Sequence, residues 1–300
     1  MLNVLECLLK ILWDGCCMHV TVMIPVYNRE RFIADAIDSV IAQDYSDWDI
    51  LVVDDGSADR TVDVVKSRMS DDRITLIQMK HGGIVTAVAT GIEHARGPVI
   101  TRLDSDDKLM PSALSTVMPS FEKNPRLGYA WTNHVNSTGE KGPCDFLPDG
   151  QRLFEAIISG WWKVTHEQFF RKEFYLRSVG LDTSIKYAED MQIALLIGKT
   201  GCDTLHLPII TYWYRMHPDQ ISREDYYKML QDASLVRRKF SNGSEALEEL
   251  YLVGLEKERD RIAKEKIMRP FGSIINKALP DYTKRGKIKR KVLNLLRGSS

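Results

Sequence analysis

Residues 97–107 read Gly97-Pro98-Val99-Ile100-Thr101-Arg102-Leu103-Asp104-Ser105-Asp106-Asp107, a short apolar run that ends in a cluster of acidic side chains. The run follows a Gly-Pro pair, and this pattern predicts a buried strand. Carboxylates that crowd onto the end of one strand repel each other, and burying them without partners costs free energy. A hard divalent cation, Mg²⁺ or Mn²⁺, removes that repulsion and also holds substrate phosphates. The stretch therefore indicates a metal–diphosphate site, and the alternative is a solvated turn before a capped helix.

The same strand belongs to an alternation of apolar strands and amphipathic helices that begins at His19. Such an alternation predicts an α/β fold with a mainly parallel central sheet flanked by helices. In sheets of this kind, ligands bind outside the carboxyl ends of the strands. The predicted strands are 20–26, 48–53 and 74–79 together with the run before Asp104, and the predicted helices are 31–43, 61–69 and a third that ends near 95.

Polar and acidic residues follow three of these strands. Pro25-Val26-Tyr27 ends the first strand, Asp54-Asp55 ends the second, and residues 104–107 end the fourth. Because the carboxyl ends of parallel strands lie at one edge of a sheet, we expect these three segments to form a single site.

The order and spacing of five segments resemble the family-2 glycosyltransferases, which have the GT-A fold. The likeness covers about residues 19–222, and in this family the activity is transfer of a sugar from a nucleotide-diphosphate donor. The segments are Ile24-Pro25-Val26-Tyr27-Asn28, Val52-Val53-Asp54-Asp55-Gly56-Ser57, Leu103-Asp104-Ser105-Asp106-Asp107, Tyr187-Ala188-Glu189-Asp190 and Tyr214-Arg215-Met216-His217.

The resemblance implies how the nucleotide of the donor is bound. Asp55 is then the acceptor for the N–H edge of uracil or another base, a contact that a carboxylate can make. Asp54 would brace the turn, and Asp104 would lie nearer the ribose. Pro25 and Tyr27 would line the base pocket, with Tyr27 supplying an aromatic surface.

The resemblance also implies the residues around the diphosphate. Asp106 is the expected metal ligand, and Asp107 either assists it or caps the following helix. Arg215 and His217 are expected to approach the diphosphate or the metal and to stabilise the leaving group. For His217 alone, the residue pattern also allows a packed core histidine.

The acidic pair Glu189-Asp190 opens an apolar helical stretch, so one of the two could merely cap that helix. In the context of the resemblance, Asp190 is the general base that removes a proton from the acceptor hydroxyl. Glu189 would orient the acceptor or brace the turn.

One stretch departs from the family pattern. The family often has an Asn-x-Gly segment followed by Ala-Arg-Asn, but here the Arg and Asn positions are Val88 and Ala89. Contacts from those two side chains to the donor are therefore lost, and Lys80 or His81 is the expected partial replacement.

Composition limits the function classes. The chain has 300 residues, 44% of them hydrophobic, which suits one large or two small domains with a real core. Lys plus Arg equal Asp plus Glu at 41 each, so no overall field favours nucleic acid as a partner. The cysteines lack metal-ligand spacing and fit a reducing compartment. No apolar run reaches transmembrane length.

Both ends differ from the middle. We expect a short amino-terminal extension (1–18), the glycosyltransferase domain (19–222) and a helical, basic carboxy-terminal region (223–300) with helices near 225–240 and 245–268. The basic end is either a solvated helix or a helix that binds anionic lipid. The predicted location is cytoplasmic, with peripheral association at the inner face of the membrane under the second alternative.

The sequence thus predicts an inverting glycosyltransferase that uses a divalent cation and a nucleotide-diphosphate sugar, expected to be a UDP-sugar. Its acceptor would be a saccharide or a lipid-linked molecule in polysaccharide or cell-envelope synthesis. Two alternatives stay open: a nucleotidyltransferase, which would need a Gly-rich basic loop that the first strand lacks, and a binding or scaffold protein without turnover, which the loss of Arg and Asn at Val88 and Ala89 would suit.

Overall fold

Strand β1 (Val20–Val26) is buried along its whole length in the computed structural model, which describes residues 18–142, 152–161, 168–217, 220 and 226–264. Strand β2 (Trp48–Asp54) is also fully buried. Strands covered on both faces are mostly apolar, which explains their nearly continuous apolar runs. The buried Thr21 and Asp49 are polar exceptions, and the Thr21 hydroxyl donates to the Asp49 carboxylate. Strands β3 (Ile74–Gln78) and β4 (Val99–Arg102) complete the part of the sheet that the sequence predicted.

Helices cross between these strands. Helix α1 (Ile33–Ile41) is two residues shorter at each end than predicted, and it buries Ile33, Ala36, Ile37 and Val40 on one face. That spacing places all four side chains on the stripe that packs against the sheet. Helices α2 (Thr61–Lys66) and α3 (Ile84–His94) occupy the other two predicted positions.

The described part of the sheet has eight strands in the order β3-β2-β1-β4-β7-β6-β8-β5. Pairs β1–β2, β1–β4, β2–β3 and β6–β8 are parallel, whereas β4–β7, β6–β7 and β5–β8 are antiparallel. The mainly parallel α/β sheet is therefore confirmed, with an antiparallel part that local patterns did not predict. The added strands are β5 (Lys108–Leu109), β6 (Leu127–Asn136), β7 (Gln168–Arg171) and β8 (Asp203–Tyr214).

The described residues form two compact units. The first comprises 18–142, 168–183 and 196–216 and contains the whole sheet with α1 to α3, α4 (Ala113–Lys123) and α6 (Lys172–Leu176). The second comprises 152–161, 184–195, 217, 220 and 226–264. Its helices are α5 (Leu153–Ile158), α8 (Tyr226–Ser241) and α9 (Glu245–Lys264), and α7 (Glu189–Gly198) has residues in both units.

Close backbone packing joins α5 and α9 in the second unit. A Cβ atom added to Gly254 would lie 2.8 Å from the Gly160 nitrogen, so only glycine permits this approach. Gly160 itself has φ +87°, a conformation that favours glycine. None of the described helices combines the length and the apolarity that crossing a membrane requires. The predicted extension 1–18, apart from Met18, and the basic end lie outside the described residues.

Candidate functional site

The first unit brings three predicted segments to one edge of the sheet. In the register of β1 and its parallel neighbours, Val26 pairs with Asp54, and Met23 pairs with Arg102. The Leu103 N–H continues the second pairing by donating to the Met23 carbonyl at 3.0 Å. The segments after Val26, Asp54 and Leu103 therefore leave the sheet side by side.

The turn after β2 is tight. The Asp54 carboxylate accepts from the Ser57 N–H at 3.3 Å, a contact within the turn. Gly56 has φ +77°, and a Cβ atom there would lie 2.9 Å from the His81 nitrogen. A side chain at position 56 would therefore push the loop after β3 away from the turn.

Asp55 is buried and already has several donors. Its carboxylate accepts from the Gly82 N–H at 2.7 Å and the Gly83 N–H at 2.9 Å. The His81 Nδ1 lies 2.9 Å from the same carboxylate, and the His81 ring stacks on Tyr27 with centroids 4.3 Å apart. Asp55 thus ties the end of β2 to the start of α3 and places two aromatic rings beside itself. Of the two expected replacements for the family's Arg and Asn, His81 is the one with these contacts.

The departure at Val88 has a packing reason. Val88 lies on α3 with its side chain completely buried, so this position faces the core.

Reciprocal hydrogen bonds hold the loop after β1 to the loop after β2. The Ala58 N–H donates to Asn28 Oδ1, and the Asn28 N–H donates to Ser57 Oγ. The Arg29 N–H donates to Thr61 Oγ1 at 2.8 Å. From this fixed loop, the Arg29 Nε donates to Asp106 Oδ2 at 3.2 Å. Sequence patterns missed Arg29, because its partner lies 77 residues away.

The three acidic side chains after β4 have different surroundings. Asp104 pairs with Arg102 at 3.1 Å, and Asp106 pairs with Arg29 while its side chain stays 17% exposed. Asp107 is completely buried; it accepts from the Tyr212 hydroxyl and from the Arg215 N–H. Burial raises the pKa of Asp107 well above its ordinary value, and the charges of Asp104 and Asp106 raise it further.

Arg215 is anchored on several sides. Its Nε donates to the Asp106 carbonyl at 2.7 Å, and its Nη2 donates to Asp35 Oδ2 at 2.8 Å. The guanidinium also lies over the rings of Phe32 and Trp213. Arg215 therefore fixes the turn that carries the acidic cluster and brings a positive charge next to it.

Asp35 receives a second cation, because Lys108 Nζ lies 3.0 Å from the same oxygen as Arg215. Burial of the Asp35 carboxyl opposes its ionisation, but the hydrogen bonds from Lys108 and Arg215 outweigh that effect and lower its pKa.

No group of three His, Cys, Asp or Glu side chains within the described ranges is arranged as a metal-binding set. The donor chemistry nevertheless fits a hard cation, since Asp104 and Asp106 supply carboxylate oxygens that are not fully buried. Asp107 directs both of its oxygens to protein donors. These residues therefore suit Mg²⁺ or Mn²⁺ better than a soft metal.

The second unit carries the acidic pair and His217. Glu189 and Asp190 form the start of α7, and Asp190 Oδ1 accepts from the Met191 N–H at 2.6 Å. The His217 N–H donates to Gln220 Oε1, and His217 is 9% exposed. The pair therefore lies in the first turn of the helix, as the sequence predicted.

The tryptophans of β6 and of the segment after α5 have different surroundings. Trp131 is 2% exposed within β6 and stacks on His206, so it belongs to the core. Trp161 is partly exposed after α5, and Trp162 lies outside the described residues.

Sequence comparison with known proteins matches a protein family and individual relatives. The family described as glycosyl transferase family 2 matches residues 21–179, more than half of the chain. Chondroitin synthase of Escherichia coli is 26% identical over 230 residues, which are 71% of this chain and 32% of that protein. The matched part of the chain thus spans about a third of that relative.

Two solved structures share the fold. S. aureus TarS 1–349 in complex with UDP-GlcNAc gives a TM-score of 0.64 at 16% identity and covers 88% of this chain and 80% of that one. Mannosyltransferase PcManGT from Pyrobaculum calidifontis, in complex with GDP-Man and Mn2+, gives a TM-score of 0.61 at 19% identity and covers 94% and 79%.

Proposed function

The chain belongs to glycosyl transferase family 2 and has a GT-A-type fold, and we propose that it transfers a sugar from a UDP-sugar to a saccharide or lipid-linked acceptor with inversion. Family and fold confirm the resemblance found in the sequence. The matched segment ends at residue 179, so the roles of Glu189, Asp190, Arg215 and His217 rest on the motif resemblance.

The observation that carries the proposal is the convergence of acidic strand ends in the first unit. Asp55 and the stacked rings of Tyr27 and His81 lie beside the turn after β2. Asp104 and Asp106 follow the parallel neighbour of β1. Ligands of doubly wound sheets bind at this edge. An aromatic surface with a carboxylate suits a pyrimidine base, and UDP-GlcNAc in the TarS structure supports that donor class.

We assign donor binding within this edge residue by residue. Asp55 accepts from the base through oxygen lone pairs beyond those used by the Gly82 and Gly83 N–H groups, because a carboxylate has about four acceptor sites. Pro25 and Tyr27 line the base pocket. Asp54 braces the turn, and Asp104 faces the ribose.

We assign the divalent cation to Asp106, with Asp107 and His217 as the further predicted ligands. Asp107 would act chiefly by holding the turn, because its oxygens already accept from Tyr212 and Arg215. A bound Mn²⁺ or Mg²⁺ offsets negative charge on a leaving diphosphate, and the mannosyltransferase that shares this fold was solved in complex with Mn2+. Arg215 would add a fixed positive charge next to the acidic cluster.

In the proposed reaction, Asp190 takes the proton of the acceptor hydroxyl. The acceptor oxygen forms a bond to the anomeric carbon while the bond from that carbon to the diphosphate oxygen breaks. Attack from the face opposite the diphosphate inverts the anomeric configuration. Glu189 orients the acceptor. The name of the E. coli relative, chondroitin synthase, supports a saccharide acceptor and a role in polysaccharide synthesis.

A screen of nucleotide sugars for metal-dependent hydrolysis tests the proposal. We expect slow release of free sugar and UDP from one UDP-sugar in the presence of Mn²⁺, and none from Asp106→Ala. Asp72→Ala removes a carboxylate outside the acidic cluster in the same unit and is the matched control. Release of pyrophosphate from UTP and a sugar 1-phosphate would instead indicate a nucleotidyltransferase, and binding of nucleotide without turnover a scaffold protein.

A further inference from the structure

A carboxylate on α8 holds the turn that leads into the acidic pair of the second unit. Asp232 Oδ2 accepts from the Lys186 N–H at 3.1 Å and from the Tyr187 N–H at 2.9 Å. These two backbone groups come shortly before Glu189 in the chain. One side-chain oxygen thus satisfies two consecutive donors of the loop before α7.

The backbone of the same turn has an unusual conformation. Ala188 has φ +68°, the left-handed region that residues with a Cβ atom rarely adopt. The Ala188 carbonyl then accepts from the Gln192 N–H at 3.0 Å, the first hydrogen bond of the helical turn. A residue in this conformation persists where surrounding contacts determine it, and such residues cluster at functional sites. The two bonds to Asp232 are contacts of that kind.

We propose that Asp232 is a positioning residue for Glu189 and Asp190. By fixing the N–H groups of Lys186 and Tyr187, it sets the direction in which the chain enters α7 and therefore where the two carboxylates lie. This inference rests on the proposed function, in which Asp190 is the base. It extends that function to α8, which lies beyond the segment matched by the family.

Substitutions can separate the positioning role of Asp232 from its negative charge. Both N–H groups donate to the same oxygen, and the amide oxygen of asparagine can accept both of them. Asp232→Asn therefore keeps the contact and removes the charge. Asp232→Ala removes both, and Asp232→Glu keeps the charge but moves the oxygen by one methylene group.

The test measures three properties of the full chain: hydrogen exchange of the 184–190 backbone, kcat for sugar transfer, and UDP affinity in Mn²⁺. We expect Asp232→Ala to exchange faster in this segment and to lose about 10- to 100-fold in kcat, the scale of a misplaced catalytic group. Its UDP affinity should stay within twofold. Asp232→Asn should restore exchange and kcat to within about threefold. Gln231→Ala, an exposed neighbour on α8, is the matched control.

The outcomes separate the possibilities. Unchanged exchange and kcat in Asp232→Ala would overturn the inference, and so would an equal loss in Asp232→Ala and Asp232→Asn. If Asp232→Ala does not fold, Asp232→Glu replaces it, and a kcat loss in Asp232→Glu without one in Asp232→Asn supports positioning. A wild-type chain that turns over no nucleotide sugar, combined with faster exchange in Asp232→Ala, would overturn the proposed function and support the anchoring of the turn.

Discussion

At the scale of single residues, the acidic groups of the first unit differ in the partners that hold them. Backbone N–H groups hold Asp55, a tyrosine hydroxyl and a backbone N–H hold Asp107, and the guanidinium of Arg29 pairs with Asp106. A metal ion can replace the Arg29 guanidinium as the partner of Asp106, but it cannot replace the backbone N–H groups that hold Asp55. Asp106 with Arg29, and Asp104 with Arg102, are therefore the carboxylates whose partner a metal ion can replace.

Arg29→Met should bind Mn²⁺ more tightly than the wild type in the absence of nucleotide. Its guanidinium lies 3.2 Å from Asp106 Oδ2, and both side chains are mostly buried, so removing that charge leaves a more negative site. We expect a gain of about two- to fivefold, since an ion pair of this kind contributes up to about 1 kcal/mol. Calorimetric titration with Mn²⁺ measures it. Arg60→Met, an exposed arginine in the facing loop, should bind as the wild type does. Weaker or unchanged Mn²⁺ binding by Arg29→Met would contradict the assignment of Asp106 as a metal ligand.

Asp190→Asn should lower kcat by about two to four orders of magnitude, the scale of a lost general base. The substitution keeps the shape and the acceptor oxygen for the Met191 N–H, so UDP affinity in Mn²⁺ should not change. Glu189→Gln is the paired variant, and single-turnover transfer assays compare the two. Inactivity of Glu189→Gln with nearly normal Asp190→Asn would assign the base to the other carboxylate.

At the scale of elements, packing and ion pairs join segments that lie far apart in the sequence. Asp35 connects α1 to Lys108 on β5 and to Arg215 after β8. In the second unit, the backbones of α9 and of the turn after α5 approach at Gly254 and Gly160. Each contact links elements whose local sequences contain no sign of the other.

The ion pairs of Asp35 with Lys108 and Arg215 should make the folded chain less stable at low pH. The pKa of Asp35 is lowered in the folded chain, so its contribution is present above the unfolded value of about 3.8 and is lost as pH falls through the folded value. We expect Asp35→Asn to unfold at lower urea concentration than the wild type at pH 7. The difference should narrow below about pH 3.8. A difference that stays constant from pH 7 to pH 3 would show that the charge of Asp35 does not stabilise the fold.

Gly254→Ala should destabilise the chain although alanine favours helices. Helix propensity alone predicts a gain of about 1 kcal/mol. The added Cβ, however, would lie 2.8 Å from the Gly160 nitrogen and 2.9 Å from the Ile158 oxygen, both backbone atoms. Overpacking of this kind costs about 1–3 kcal/mol. Urea unfolding at 25 °C decides the sign, and a more stable Gly254→Ala would show that α9 lies farther from this turn.

At the scale of the whole molecule, charge is balanced in total but not along the chain. Lys plus Arg equal Asp plus Glu at 41 each, yet the last residues are strongly basic. The acidic strand ends lie in the first unit. The acidic strand ends suit a metal–nucleotide complex, and the basic end suits an anionic surface. Membrane association stays a prediction from the sequence.

Neutralising the basic end should weaken binding to anionic vesicles without changing donor hydrolysis. Each basic group near such a surface contributes about 1 kcal/mol, and every proposed site residue precedes this segment. Sedimentation with phosphatidylserine vesicles at low and high salt measures the effect, and the difference should shrink as salt rises. Equal binding by both proteins at low salt would leave the segment as a solvated helix. The variant replaces Lys284, Arg285, Lys287, Lys289, Arg290, Lys291 and Arg297 with glutamine.

The sequence by itself determined the elements of the parallel half of the sheet and the residues at their ends. Buried strands need nearly continuous apolar runs and the helices need an apolar stripe, so the strands 20–26 and 48–53 and the helix predicted at 31–43 could be found locally. Because parallel strands end at one edge, the grouping of Asp54, Asp55 and residues 104–107 also followed from the sequence.

Only the tertiary structure decided how those carboxylates are held. Asp106 pairs with a residue 77 positions away, Asp107 with Tyr212 at 105 positions, and Lys186 with Asp232 at 46 positions. Local periodicity contains no information on such pairs, because they depend on strand order and on which loops the fold brings together. Strands β5 to β8 were missed for the same reason: their stability comes from neighbours distant in sequence.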